Sequence, residues 1–216
     1  MKTTTDTQYI QSLIAEGEHI RQDFKFAISD ARKIAKSISA FANTQGGRLL
    51  IGVKDNGKIA GVRSEEEIYM MEAAARMYCH PQVEIESYVY KVEGKNVLEV
   101  RIAESNCKPV CALDENRKAW AYVRIKDENI LASPVHLKIW KQCRQQESEI
   151  MAYTEREQHL LNILQQHEAL TLNQCSRLTR TNRKQTSELL ADFIRFDLVE
   201  QEFREHTFYF KLKENE

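Results

Sequence analysis

Proline and glycine are scarce in this chain, at 3 and 7 of 216 residues. That excludes collagen-like and low-complexity classes. No stretch approaches 18 uninterrupted apolar residues, so no transmembrane helix and no membrane partner are expected. A surplus of either charge is also missing. Lys and Arg total 31 against 32 Asp and Glu, a net of -1. Proteins that coat nucleic acid non-specifically are strongly basic, so nucleic-acid binding here has to come from a local patch. The five cysteines, Cys79, Cys107, Cys111, Cys143 and Cys175, are odd in number and scattered. They form no disulfide framework. A metal site built from Cys79-His80, Cys107 and Cys111 competes with reduced, mostly buried thiols, and the Cys107–Cys111 spacing is not that of a zinc knuckle. The N-terminal run before Tyr9 lacks the apolar core of a signal peptide, which places the chain in the cytoplasm as an expectation.

Periodicity supplies the organisation. Ile10, Leu13 and Ile14 are spaced as on a helix. Residues 19–26 alternate toward Phe24 and Phe26 as a strand. Ser29 or Asp30 caps a helix whose stripe is Ile34, Ala35, Ile38, Phe41 and Ala42. That helix stops at Gly46-Gly47. Residues 48–54 read as a strand covered on both faces, returning after an Asp55-Asn56-Gly57 turn as a short strand at 58–62. A helix follows over 65–79. Two hairpins are expected at 83–102 and 109–125, and Ser133-Pro134 opens a helix to about Met151. This predicts a mixed α+β domain over 1–150 with one mixed sheet and flanking helices.

A second unit is expected over 154–216. Thr154-Glu155-Arg156-Glu157 has the form of a capping box. Three helices followed by two strands around Arg204-Glu205-His206 make a winged helix-turn-helix pattern. Arg177, Arg180, Arg183 and Lys184 cluster at the turn before the third helix. A recognition helix reads base edges from its N-terminal end, so Arg180, Arg183 and Lys184 are nucleic-acid candidates. The unit nevertheless holds nine basic and eleven acidic residues, a net of -2. Protein contact is therefore a competing role.

In the first unit Asp23 and Lys25 lie two apart on a strand and share a face. Asp55 ends the strand after Gly47. If these strands are adjacent, Glu18, Asp23 and Asp55 converge, and three carboxylates stay ionised together only beside Lys25 or a divalent cation. Ala40-Phe41-Ala42-Asn43-Thr44-Gln45-Gly46-Gly47, the apolar run to Val53, and Asp55 with Gly57 follow. With Asp23-Phe24-Lys25 and the later Tyr122-Val123-Arg124, this stretch resembles the Schlafen AlbA_2 family, also described as divergent AAA-4 DNA-binding domains.

The resemblance implies nucleic-acid binding or a regulatory module. For its nuclease members it implies three metal-binding carboxylates that cleave RNA, matched in position by Glu18, Asp23 and Asp55 with Mg²⁺ or Mn²⁺. The middle residue is Asp here where Glu is usual, one methylene shorter. No P-loop is present, because Gly46-Gly47 follows a helix and precedes a strand, so no ATP cofactor is expected. The reading is a DNA-binding regulator, with Lys25, Arg48, Lys54 and Arg124 as phosphate contacts in the first unit. A metal-dependent RNA endonuclease acting on structured RNA such as tRNA, and a protein-binding scaffold, are the alternatives. A homodimer suits palindromic sites.

Overall fold

The computed structural model describes residues 5–62, 66–145 and 153–214. The chain divides into two units, 1–131 and 132–216.

In the first unit, α1 (Asp6–Glu16), β1 (Gln22–Lys25), α2 (Ala31–Asn43) and β2 (Gly47–Ile51) come first, then α3 (Glu66–Met77) and β3 (Cys79–His80). β4 (Ile85–Val92), β5 (Lys95–Ile102), β6 (Cys111–Leu113), β7 (Ala119–Ile125) and β8 (Glu128–Leu131) complete it. Two four-stranded sheets form, in the orders β1-β2-β5-β4 and β3-β6-β7-β8. The first is mixed, with β1 and β2 parallel and the other pairs antiparallel. The single sheet expected from the hairpin series is therefore corrected to two. The predicted return strand at 58–62 reduces to one bridge between Val53 and Ile59. β8, unforeseen, pairs with β7.

Each face of the first sheet has its own cover. α1 packs Ile10 and Leu13 on Phe24, Leu50, Val53 and Val97. α2 and α3 cover Leu49, Ile51, Leu98 and Val100 on the other face. The same core continues to Val110 and Ala112, so α2 lies between the two sheets. That enclosure explains why α2 is buried almost all round from Ile34 to Asn43. Its polar side chains then need internal partners. Ser39 Oγ donates to Val110 O at 2.8 Å and accepts from Tyr122 N at 3.1 Å. Asn43 Nδ2 donates to Val110 O at 2.7 Å and Tyr122 O at 2.9 Å, while its Oδ1 accepts from Val110 N at 2.8 Å. Thr44 Oγ1 accepts from Arg124 N at 2.8 Å.

Asp30 caps α2 by accepting from Arg32 N at 2.9 Å. The helix ends where Gly46 takes φ +64°, a conformation that favours glycine. At Gly47 a Cβ would sit 2.5 Å from the Phe41 ring, so only glycine lets the chain turn into β2 here. The Ala-Phe-Ala-Asn…Gly-Gly run is thus architectural: it seats a helix between two sheets and turns it into the next strand.

The second unit contains α4 (Pro134–Arg144), α5 (Glu155–Gln165), β9 (Leu170–Thr171), α6 (Leu172–Thr179), α7 (Arg183–Arg195), β10 (Val199–Arg204) and β11 (Thr207–Leu212). Its sheet order is β10-β11-β9, antiparallel throughout. The sequence reading assigns α4 to the first unit. In the structure Val135 joins the core of Leu160, Leu164, Leu190 and Phe193. Lys138 Nζ reaches Glu188 at 2.5 Å and Gln142 Nε2 donates to Asp192 at 2.8 Å, so α4 is tied to α7. The expected extension of α4 to Met151 lies outside the described residues.

His136, in the first turn of α4, is held by Ser133, whose Oγ lies 2.9 Å from Nδ1, and packs edge-on against Phe208 at 5.1 Å. Burial pushes its pKa from 6.5 down to about 4. The unfolded chain takes up this proton near 6.5, whereas the folded one waits until about 4. Stability is therefore full above 6.5 and falls as pH drops through that window, by on the order of 3 kcal/mol in all. Thermal melts of the second unit's transition should show this slope between pH 6.5 and 4. His136→Gln should remove most of it.

Candidate functional site

The expected carboxylate triad does not assemble. Glu18 Oε1 accepts from Phe24 N at 2.8 Å, closing the outer edge of β1. Burial, and then a hydrogen bond with Asp23, raises its pKa above the ordinary carboxylate range. Asp23 is itself engaged, with Lys25 Nζ 2.6 Å from Oδ2 and Arg124 Nη2 3.3 Å from Oδ1. Asp55 lies exposed in the turn beyond β2. Among the described residues no three His, Cys, Asp or Glu side chains stand close enough to hold a metal ion. The residues present do not fit a Mg²⁺ or Mn²⁺ centre. The Cys79, His80, Cys107 and Cys111 set fails in the same way. Burial is the main reason the Cys79 thiol is pushed up to about 12, which makes it inert.

Two of the four expected phosphate contacts are corrected as well. Arg124 is 2% exposed. Its guanidinium donates to Gln22 O at 3.1 Å and Asn129 Oδ1 at 2.9 Å, and it lies 5.0 Å over the Phe41 ring. It pins the second sheet to β1 and has no face to offer a ligand. Lys25 spends its ammonium on Asp23 and on the Phe24 carbonyl, 2.9 Å away. Lys54 is exposed and lies 5.2 Å over the Phe26 ring, past the far end of β2 from Arg48. The structure therefore does not gather Lys25, Arg48, Lys54 and Arg124 into one surface.

Arg48 instead belongs to a group that the sequence reading missed. It pairs in register with Arg101 on the α1 face of the first sheet. Together with Arg21, His19, Tyr9 and the Gln45–Gly47 turn, the two arginines line a cleft of about 800 Å³. Glu84, Glu86 and Glu104 line it too, and two of its residues, Tyr9 and Arg101, hold Glu99, which is fully buried. Tyr9 OH donates to Glu99 at 3.1 Å, and Arg101 grips it through Nε at 3.0 Å and Nη2 at 3.1 Å. That grip raises the Arg101 pKa further, so its charge is permanent. The legible signal was Glu99 and Arg101, two apart in the otherwise apolar run Val97–Ile102, which puts both on one sheet face.

In the second unit Arg177, Arg180, Arg183 and Lys184 are all exposed, and no ion pair is found for them among the described residues. Arg180 takes φ +54° at the end of α6, and Asn182 caps α7 by accepting from Gln185 N at 2.9 Å. Arg183 and Lys184 thus occupy the first turn of α7. Cations there oppose the helix dipole, so they add to a positive end instead of offsetting a negative one. The unit's acids are partly spent elsewhere: Glu188 on Lys138, Asp197 on Lys213, Glu200 on Lys211 and Glu168 beside Arg204.

Among solved structures, the DIP2311 protein of Corynebacterium diphtheriae is similar over 72% of this chain at 16% identity, with a TM-score of 0.45. The chain spans 33% of that protein's length. The N-terminal domain of a RecG-related protein of Nitrosomonas europaea is similar over 57% of this chain and 90% of its own, at 24% identity and a TM-score of 0.40. No curated protein matches. The family model for Schlafen, AlbA_2 matches residues 18–133. That span runs from the carboxylate closing β1 to the end of the second sheet, and membership is consistent with nucleic-acid binding. By this match over more than half its length, the chain belongs to the Schlafen AlbA_2 family.

Proposed function

We propose that this protein binds nucleic acid, with duplex DNA as ligand and gene regulation as role, through the α6–α7 turn of its second unit. The observation that carries the reading is the set of four exposed cations around the α6–α7 turn, without ion pairs among the described residues. Helix α6, the turn, α7 and the β10–β11 hairpin follow the order of a winged helix-turn-helix, in which the third helix enters the major groove N-terminal end first. Near-neutral composition is no obstacle. The acids of α7 itself, Glu188 and Asp192, lie beyond its first turn and are engaged by Lys138 and Gln142, and only the local field meets phosphate.

Four phosphate contacts imply a steep salt response. Affinity for duplex DNA should fall about a hundredfold between roughly 50 and 200 mM salt. Arg183→Ala with Lys184→Ala should lower the slope by about 2 and cut the same fall to about tenfold. A flat titration of the parent protein would dismiss the reading.

A further inference from the structure

We infer that the outer edge of β4 is the interface of a two-fold homodimer, in which a second copy adds its own β4 antiparallel to this one, on a surface separate from the α6–α7 turn and independent of the reading above. β4 is the last strand of the first sheet, and no strand pairs with its outer edge among the described residues. An open edge presents unpaired peptide groups, which proteins blunt by shortness, charge, proline or a bulge. The other edges of this unit are managed in that way. β3 has two residues and β8 four, and β1, with four, has Glu18 bonded to Phe24 N. β4 has eight. Its pairing with β5 runs unbroken from Ile85 to Val92, with neither bulge nor proline. Between Glu86 and Lys91 it holds only Ser87, Tyr88, Val89 and Tyr90, all uncharged. Tyr88 is 41% exposed and Val89 53%.

The pattern of the strand suits its own copy. Directly opposed residues of an antiparallel pair share a sheet face, so a two-fold axis has to pass through a residue, not between two. An axis through Val89 sets Val89 against its copy, Tyr88 against the copy's Tyr90, Ser87 against Lys91 and Glu86 against Val92. No like charges then face each other, and one apolar pair lies between two aromatic ones. An axis through Tyr88 would oppose Glu86 to Tyr90 and Ile85 to Lys91. One through Tyr90 would oppose Val89 to Lys91 and Ser87 to Glu93. Each keeps one aromatic pair where the Val89 axis makes two. The rings are already held: Arg101 lies 4.8 Å over the Tyr88 ring, whose OH donates to Glu86 at 3.2 Å, and the Tyr9 ring stands 5.2 Å from Tyr90. Little side-chain freedom is left to lose on association.

Charge fixes the direction. At one end of β4 stand Glu84 and Glu86, and Arg101, opposite Glu86, is offset by the buried Glu99. At the other end stands Lys91, beyond which Glu93 and Lys95 cancel. Glu72 and Arg76 of α3, beside Ile85 and Ser87, cancel likewise. An antiparallel copy brings the acidic end of each chain to the basic end of the other, with Glu86 one position from Lys91. A parallel copy would bring acid to acid. Exposed charges add little affinity, so they choose the orientation while main-chain bonds and the central pairs hold the dimer.

Sedimentation equilibrium of the full chain from about 1 to 300 μM, without nucleic acid, tests the interface apart from the DNA reading. One strand edge is a small interface, so a concentration-dependent dimer is expected. Val89→Lys sets a charge on the axis against its own copy. It should weaken dimerisation at least about tenfold while the thermal melt stays unchanged. Val89→Glu should do the same, and an equimolar mixture of the two should dimerise again, because only this register brings position 89 to position 89. Ser87→Lys, facing Lys91 of the copy, serves if a variant does not fold. A parent chain that stays monomeric would overturn the proposal, as would a dimer that tolerates Val89→Lys or a loss that the mixture does not restore. A monomer whose β4 amides gain hydrogen-exchange protection from a synthetic β-strand peptide would assign the edge to a foreign strand and overturn it too.

Discussion

Arg124→Met should cost the first unit about 3–5 kcal/mol, measured by urea unfolding of the full chain. The loss is large because the substitution removes one partner of a buried set and leaves the others in place. Asp23 keeps Lys25 but loses the Arg124 contact at 3.3 Å, and the Gln22 carbonyl loses its 3.1 Å donor. Stripping a buried charge of its counter-ion costs far more than the net worth of the pair. The double variant Asp23→Leu with Arg124→Met should therefore recover part of the loss, because Lys25 then faces solvent from its half-buried position. Against a total stability of about 5–15 kcal/mol, the single substitution stands near the threshold of unfolding.

Asn43→Ala should cost about 2–4 kcal/mol, because Val110 N and Tyr122 O lose this partner together, while Val110 O keeps Ser39 Oγ. Val110 N, Val110 O and Tyr122 O all bond this one side chain. Each buried group left unpaired costs about 1–3 kcal/mol. Hydrogen exchange at the Val110 amide checks the mechanism. Its protection should fall by more than that of Leu98 in the first sheet, whose bonds to β2 are untouched. Asn43→Asp should not rescue, since it keeps the acceptor for Val110 N but turns a carboxylate toward two carbonyls.

Local order was legible where the signal is local. Residues 31–43 carry an apolar stripe, a capping aspartate and a terminal glycine pair, and α2 follows them. The β4–β5 hairpin turns at Glu93 and Gly94, both at positive φ, as a two-residue turn requires. What failed was long-range. Splitting the strands into two sheets depends on α2 being enclosed, and no window of neighbours along the chain encodes that. Arg124 reads as a surface residue because arginine is rarely fully buried. Its burial needs acceptors from His19, Gln22 and Asp23, which the chain delivers about a hundred residues earlier. The triad failed for a related reason: the adjacency of β1 and β2 on which it was conditional holds, but their register sets Asp23 against Leu49 and leaves Asp55 beyond the strand end. The arginine cleft needed the pairing of Arg48 with Arg101, which only the sheet provides.

The helix between the sheets bonds almost wholly to main-chain atoms: Val110 N and O, Tyr122 N and O, and Arg124 N. Any amino acid can offer a carbonyl, and any except proline an amide hydrogen. One side of this lock is thus written in side chains and the other in peptide groups that every sequence possesses. Sequence comparison can recognise the key at residues 39–47, while the keyhole at 110–124 leaves little trace in the letters.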